Sequence, residues 1–96
     1  MNMRSSELGE LAAFACIARE GSFRRAAARL NLKPTTLSHT MRALETRLGV
    51  RLLNRTTRSI SLTEAGRQLC DALEPALHDI EMAVETVNRF RERPAG

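Results

Sequence analysis

The feature that most limits this 96-residue chain is a repeat near its C-terminal end. Leu69, Leu73, Ala76, Ile80, Ala83, Val87 and Phe90 follow one another at spacings of 4, 3, 4, 3, 4 and 3 residues. That alternation holds one apolar stripe on one face of an α-helix. Leu77 and Val84 widen the stripe, and Thr63 is a good N-cap for a helix that runs on to about Glu92. Pro75 removes one backbone hydrogen bond inside the pattern, so a kink without termination is expected. Such a helix is on the order of 43 Å long and cannot bury its stripe against the roughly sixty residues before it. It calls for another chain. One long helix folded back on its own core is the alternative.

The preceding residues divide into shorter elements. A first helix is expected from about Glu7 to Arg19, with Leu8, Leu11, Ala12, Ala15 and Ala18 on one face and Phe14 beside them. Ala13 and Ile17 lie nearly opposite, so this helix needs cover on two sides, one from its own core and the other from a partner chain. Gly21-Ser22 breaks it, and Ser22 caps a second helix in which Phe23, Ala26, Ala27 and Leu30 share a face. Asn31 suits the left-handed residue that closes a short helix. Leu32 and Lys33 form the turn, and Pro34 opens the third helix at its first position.

The third helix carries the clearest stripe: Leu37, Met41, Leu44 and Leu48. Thr35, His39, Arg42 and Thr46 point the other way, flanked by Ser38 and Thr36, with Glu45 at the edge and Gly49 as the stop. An ordinary solvated face would be laced with Glu and Lys; this one is built to meet hydrogen-bonding partners. Two helices joined by a short turn, the second with a polar face, make a helix-turn-helix. Two strands should follow, Leu52 to Arg55 and Ser59 to Leu62, with Thr56-Thr57-Arg58 at the hairpin tip. A basic hairpin in that place is a wing.

Charge narrows the partner. Residues 1–62 hold eleven basic and four acidic side chains, whereas residues 63–96 hold four basic and seven acidic ones. Between Ser22 and Leu62 there are nine basic residues against the single acid Glu45. A concentration of that kind attracts a polyanion or an anionic membrane, with a merely solvated basic face as the alternative. The chain has no Trp or Tyr, which removes the stacking platforms of single-strand binders. Cys16 and Cys70 lie far apart on apolar segments and read as small buried thiols. His39 and His78 have no companion ligands at zinc spacing, so no metal or other cofactor is expected. Glu7 and Glu10 interrupt the apolar run around Ala13-Phe14-Ala15, which argues against a secretory signal, and no stretch is long enough for a membrane span. The expectation is a cytoplasmic protein without a membrane partner. Ser38, His39 and Glu45 fail as a hydrolytic trio because adjacent helical residues diverge by about 100°, and no glycine-rich phosphate loop occurs. Catalysis is not expected.

Residues 8–66 resemble the N-terminal DNA-binding domain of LysR-type transcriptional regulators. The resemblance is carried by Glu10-Leu11 with Phe14, Ala18-Arg19-Glu20-Gly21-Ser22-Phe23, Ala26-Ala27 with Leu30-Asn31-Leu32, and the run Leu37 to Glu45. It continues through Leu48-Gly49-Val50-Arg51-Leu52-Leu53, Arg55-Thr56-Thr57-Arg58 and Leu62-Thr63-Glu64-Ala65-Gly66. It implies a mainly α protein: a winged helix-turn-helix over residues 5–62, a linker helix for dimerisation over residues 63–92, and at residues 93–96 the start of a hinge to an effector-binding domain. By matching position, the base-reading residues are Thr35, Thr36, Ser38, His39 and Arg42, and the wing residues are Arg55, Thr57 and Arg58. Ser22, Arg24 and Arg25 match positions that approach phosphate, and Lys33 lies beside the groove entrance. Leu69, Leu73, Ala76, Ile80, Ala83, Val84, Val87 and Phe90 form the dimerisation seam.

The implied partner is a double-stranded DNA operator with an interrupted palindrome, bound by a homodimer that in a full-length regulator extends to a tetramer. A small-molecule effector would act only through a domain absent here, so the chain reads as a DNA-binding fragment, with a genuinely short protein as the alternative. Lys33 stands where the family more often has Ser, and Pro34-Thr35 replaces a Gln-Pro or Gln-Ser pair. The Gln would have offered a bidentate adenine contact, so the resemblance does not carry direct readout of that base over to this chain. A non-specific architectural DNA binder and a protein-interaction winged helix are the competing functions.

Overall fold

The computed structural model describes residues 5–56 and 59–92. Four helices and a hairpin follow in the order α1 (Ser5–Glu20), α2 (Phe23–Leu30), α3 (Pro34–Leu48), β1 (Leu53–Arg55), β2 (Ile60–Leu62) and α4 (Glu64–Glu92). The local signals set these bounds. Ser22 Oγ accepts from the Arg25 amide at 3.2 Å, and Asn31 closes α2 at φ 58°. Gly49 stops α3 at φ 72°, a conformation that costs glycine little. Thr63 Oγ1 accepts from the Gly66 amide at 3.0 Å and donates to the Arg51 carbonyl at 2.7 Å, so it caps α4 and ties it to the loop before β1.

Strands β1 and β2 are antiparallel with Leu53 opposite Leu62, Asn54 opposite Ser61 and Arg55 opposite Ile60. Each is one residue shorter at its start than its pattern suggested. At the hairpin end Thr56 and Ser59 hold one another. The Thr56 amide donates to the Ser59 carbonyl at 3.0 Å, and the Ser59 amide donates to Thr56 Oγ1 at 2.9 Å. Thr57 and Arg58 lie outside the described residues, as do residues 93–96.

The core is made by Phe14, Ile17, Leu37, Met41, Leu44, Leu52 and Leu53, all but fully buried. Gly66 belongs to it by absence of a side chain, because a Cβ there would run into the Leu52 carbonyl. Cys16 is buried and Cys70 half-buried, both as free thiols, and burial pushes both above the usual thiol range.

Three expectations need correction. In α1 the buried residues are the continuous run Ala13 to Ile17, while Leu8 is exposed, so the stripe through Leu8 and Ala12 is not the inner face. The middle of α1 is gripped by α2, α3 and α4 of the same chain, while Leu8 stays on the uncovered side. In α3, Leu37, Met41 and Leu44 are buried but Leu48 is 48% exposed, because Leu52 and Leu53 fill the space beneath the last turn. In α4, Leu69 and Leu73 pack against the chain's own core together with Ala65 and Cys70. The seam is therefore divided.

Helix α4 continues through Pro75 without ending. Arg19 on α1 meets Glu74 at 3.5 Å, near the last point where α4 lies against the rest of the chain. Beyond it Ile80, Met82, Val84, Val87 and Phe90 are 46, 48, 55, 66 and 76% exposed. The longest dimension, 56 Å, reflects a helix of about 43 Å that projects past the core. Among the described residues no helix is long and apolar enough to cross a membrane.

Candidate nucleic-acid interface

The apolar stripe of α3 fixes which side of that helix faces out. With Leu37, Met41 and Leu44 in the core, Thr35, Thr36, His39, Arg42 and Thr46 are exposed. Ser38 lies half-buried at the edge of the same face. Arg24 and Arg25, on the first turn of α2, are exposed as well, and neither α2 nor α3 has an acid in its first turn. Lys33 sits at the N-cap of α3 with extended backbone and makes no side-chain capping bond, as an ammonium must. Its charge adds to the positive end of the helix dipole, and the amides of that first turn point outward with it.

The basic residues divide into two groups that sequence alone does not separate. Arg29 pairs with Glu20 at 2.9 Å, Arg19 with Glu74, and Arg47 with both Glu7 and Glu10. These arginines serve the chain's own packing of helix on helix. Arg24, Arg25, Lys33, Arg42 and Arg51 are exposed and have no ion pair among the described residues. They gather on the α2–α3 side and leave a net positive surface. Arg51 is a residue the pattern reading missed. It lines a shallow depression with Arg42, Glu45, Thr46, Gly49 and Val50, and a basic residue just past the Gly49 stop was the signal for it.

Glu45, the single acid of this region, is committed to the chain that follows α3. Its Oε2 accepts from the Leu52 amide at 2.7 Å and the Leu53 amide at 3.1 Å, which pins the start of β1 to α3. The carboxylate satisfies these two amides, which would otherwise be buried unpaired.

Arg55 departs from its expected place. It is on β1 of the wing, but the side chain turns inward instead of projecting toward a ligand. Its guanidinium lies 4.9 Å above the Phe23 ring, Nη1 donates to Ser38 Oγ at 2.9 Å, and Nη2 is 3.9 Å from Glu45 Oε1. Burial lowers its pKa, Glu45 raises it, and Arg42 and Arg51 lower it further. An arginine stays charged under such shifts. Ser22 is likewise committed in part, since its hydroxyl oxygen caps α2. Thr57 and Arg58, the other wing residues expected from sequence, lie outside the described residues. Among the described residues no group of three His, Cys, Asp or Glu side chains is placed to hold a metal.

The sequence and the fold have known relatives. The profile of the family described as "Bacterial regulatory helix-turn-helix protein, lysR family" matches residues 8–67. The chain is 48% identical over 94 residues to the HTH-type transcriptional regulator PgrR of Escherichia coli strain K12, covering 98% of this chain and 31% of the relative. It thus spans about a third of the length of the curated relatives it matches. Among solved structures, full-length AphB, a Vibrio cholerae virulence activator of the LTTR family, superposes with a TM-score of 0.80 at 29% identity over 88% of this chain and 28% of its own. The DNA-binding domain of BenM, solved in complex with catB site 1 DNA, superposes with a TM-score of 0.78 at 27% identity over 92% of this chain and 98% of its own.

Proposed function

The chain belongs to the LysR family of bacterial regulatory helix-turn-helix proteins, and from that premise we propose that it binds a specific double-stranded DNA operator as a homodimer, for transcriptional control in the bacterial cytoplasm. Helix α3 enters the major groove with Thr35, Thr36, Ser38, His39 and Arg42 toward base edges. Ser22, Arg24, Arg25 and Lys33 hold phosphates, and the wing, with Thr57 and Arg58, flanks the groove. Two chains join along α4 from Ala76 to Phe90, so that two half-sites of an interrupted palindrome are read together. In a longer regulator an effector-binding domain would follow α4 and supply the small-molecule response.

The observation that carries this reading is the sorting of the basic residues. Between Ser22 and Leu62 the arginines that pair with acids, Arg29, Arg47 and Arg55, turn to the chain's own elements, while Arg24, Arg25, Lys33, Arg42 and Arg51 are exposed, have no ion pair among the described residues, and lie on or next to α2 and α3 with the hydroxyls and imidazole of α3. A non-specific architectural binder would more naturally offer arginines, lysines and apolar wedges than hydroxyls. The test is selection of bound duplexes from a random pool, followed by titration of the enriched duplex and a scrambled one at one salt concentration. The expected outcome is an enriched, inverted pair of half-sites bound at least about a thousandfold more tightly than the scramble. Equal affinities would leave an architectural role, and no binding would leave a protein-interaction module.

A further inference from the structure

The contact between Arg55 and Ser38 changes what Ser38 can offer a ligand. A serine hydroxyl carries one proton and two lone pairs. Inside a helix its usual recourse is the carbonyl four residues back. Thr40 does this with the Thr36 carbonyl at 2.9 Å, and Thr86 does it with that of Met82 at 3.0 Å. Ser38 makes no such bond among the described residues. Its oxygen instead accepts from Arg55 Nη1 at 2.9 Å, and nothing described takes its proton. Donation from a cation draws electron density from the oxygen and strengthens the hydroxyl as a donor.

Arg55 is well held for such a role. The Phe23 ring supports the guanidinium from α2, and Nη2, buried without a hydrogen bond among the described residues, faces at 3.9 Å the Glu45 carboxylate, itself fixed by the Leu52 and Leu53 amides. Three elements thus set the position of one fork.

Building on the proposed DNA reading, we infer that Arg55 is a positioning residue that fixes Ser38 as a hydrogen-bond donor, so that the base facing Ser38 presents an acceptor in the major groove. The acceptors available are purine N7, guanine O6 and thymine O4; cytosine shows only an amino donor there. Arg55 itself touches no DNA.

The test uses the duplex enriched by the wild-type chain. Each purine of a half-site is replaced in turn by its 7-deaza analogue, each guanine also by 2-aminopurine, which lacks O6, each thymine by 5-methyl-2-pyrimidinone, which lacks O4, and each phosphate by methylphosphonate. Wild type should lose roughly five- to tenfold in affinity at the base read by Ser38, the worth of one hydrogen bond. Ser38→Ala should be blind to that one replacement and keep its sensitivity elsewhere. Arg55→Met, which keeps an apolar stem against Phe23, should also lose the discrimination while its salt slope stays that of wild type. Rotation of the Arg55 guanidinium, followed by NMR in the wild-type chain, should be hindered both free and on DNA.

A salt slope lowered by about one, with equal losses on every duplex, would make Arg55 a phosphate ligand and overturn the inference. So would a Ser38→Ala chain that still senses the altered base, a dependence on methylphosphonate alone, or free guanidinium rotation in the complex. Failure of the wild type to enrich any duplex would instead remove the DNA reading itself, and the inference with it.

Discussion

Phe14 and Phe90 are the same side chain on the same kind of backbone, yet one is 0% and the other 76% exposed. Phe14 lies where α1 meets α2, α3 and α4, whereas Phe90 stands on a stretch of α4 that no other described element packs against. The first region closes its core with Leu52, Leu53 and the early turns of α4. The second carries an equally regular apolar stripe that the same chain leaves open. A sequence stripe therefore says that a face is meant to be covered, and the surrounding fold says whether the cover is internal.

Charge follows the same division. The exposed cations Arg24, Arg25, Lys33, Arg42 and Arg51 lie on the packed domain, while Asp79, Glu81 and Glu85 interleave the exposed stripe, with Arg89 and Arg91 at its far end. Under the proposed reading those acids repel phosphate and keep that stretch off the DNA, which leaves the stripe for a second copy.

The largest contrast should come from the two phenylalanines. Phe14→Ala should cost about 3–5 kcal/mol and leave little folded protein. Phe90→Ala should stay within about 0.5 kcal/mol in urea melts of dilute, monomeric protein. Similar losses in the two variants would mean that the distal helix is stabilised from within the chain.

Gly66→Ala probes the boundary between the regions. Its Cβ would meet the Leu52 carbonyl, a backbone atom that moves only if α4 shifts on the domain. A loss of about 1–3 kcal/mol in thermal or urea unfolding is expected. Wild-type stability would show that α4 is free to slide on β1.

Lys33→Ser gives the smallest effect and the opposite sign. A serine there supplies the missing cap of α3 and should add roughly 1 kcal/mol, seen as a higher Tm. It also removes a cation from the proposed DNA side, so affinity should fall at low salt and the gap should close as salt rises. A stabilised variant with unchanged low-salt affinity would take Lys33 off the DNA surface.

How much of this was legible depended on how local the physics was. Ser22, Asn31, Gly49 and Thr63 act on their own backbone within a turn, and each sits where its chemistry predicts. Leu37, Met41 and Leu44 were legible because a short helix has one core to face. Leu48 was misread because the next apolar pair, Leu52 and Leu53, fills the core in its place. Leu69 and Leu73 obey the same heptad as Val87, and periodicity holds no record of where α4 leaves the domain. Arg55 and Glu45 lay beyond reach for another reason. A long charged side chain chooses among distant partners, and the ones chosen here lie on Phe23, Ser38 and the Leu52–Leu53 amides. Their joint effect on Ser38 is visible only once the wing has folded against α3.

The central claim is that the packed region reads DNA and the open stripe holds two readers together. Sedimentation velocity of wild type and Ile80→Asp, each alone and with the enriched duplex, tests it most directly. Ile80 is 46% exposed in the single chain, so the carboxylate should leave the winged domain folded. In a helix interface it costs several kcal/mol. The wild type should sediment as a dimer and load both half-sites. Ile80→Asp should sediment as a monomer, with DNA affinity lower by about a hundredfold or more as joint binding is lost. A variant that stays dimeric and binds the duplex as wild type does would contradict the account.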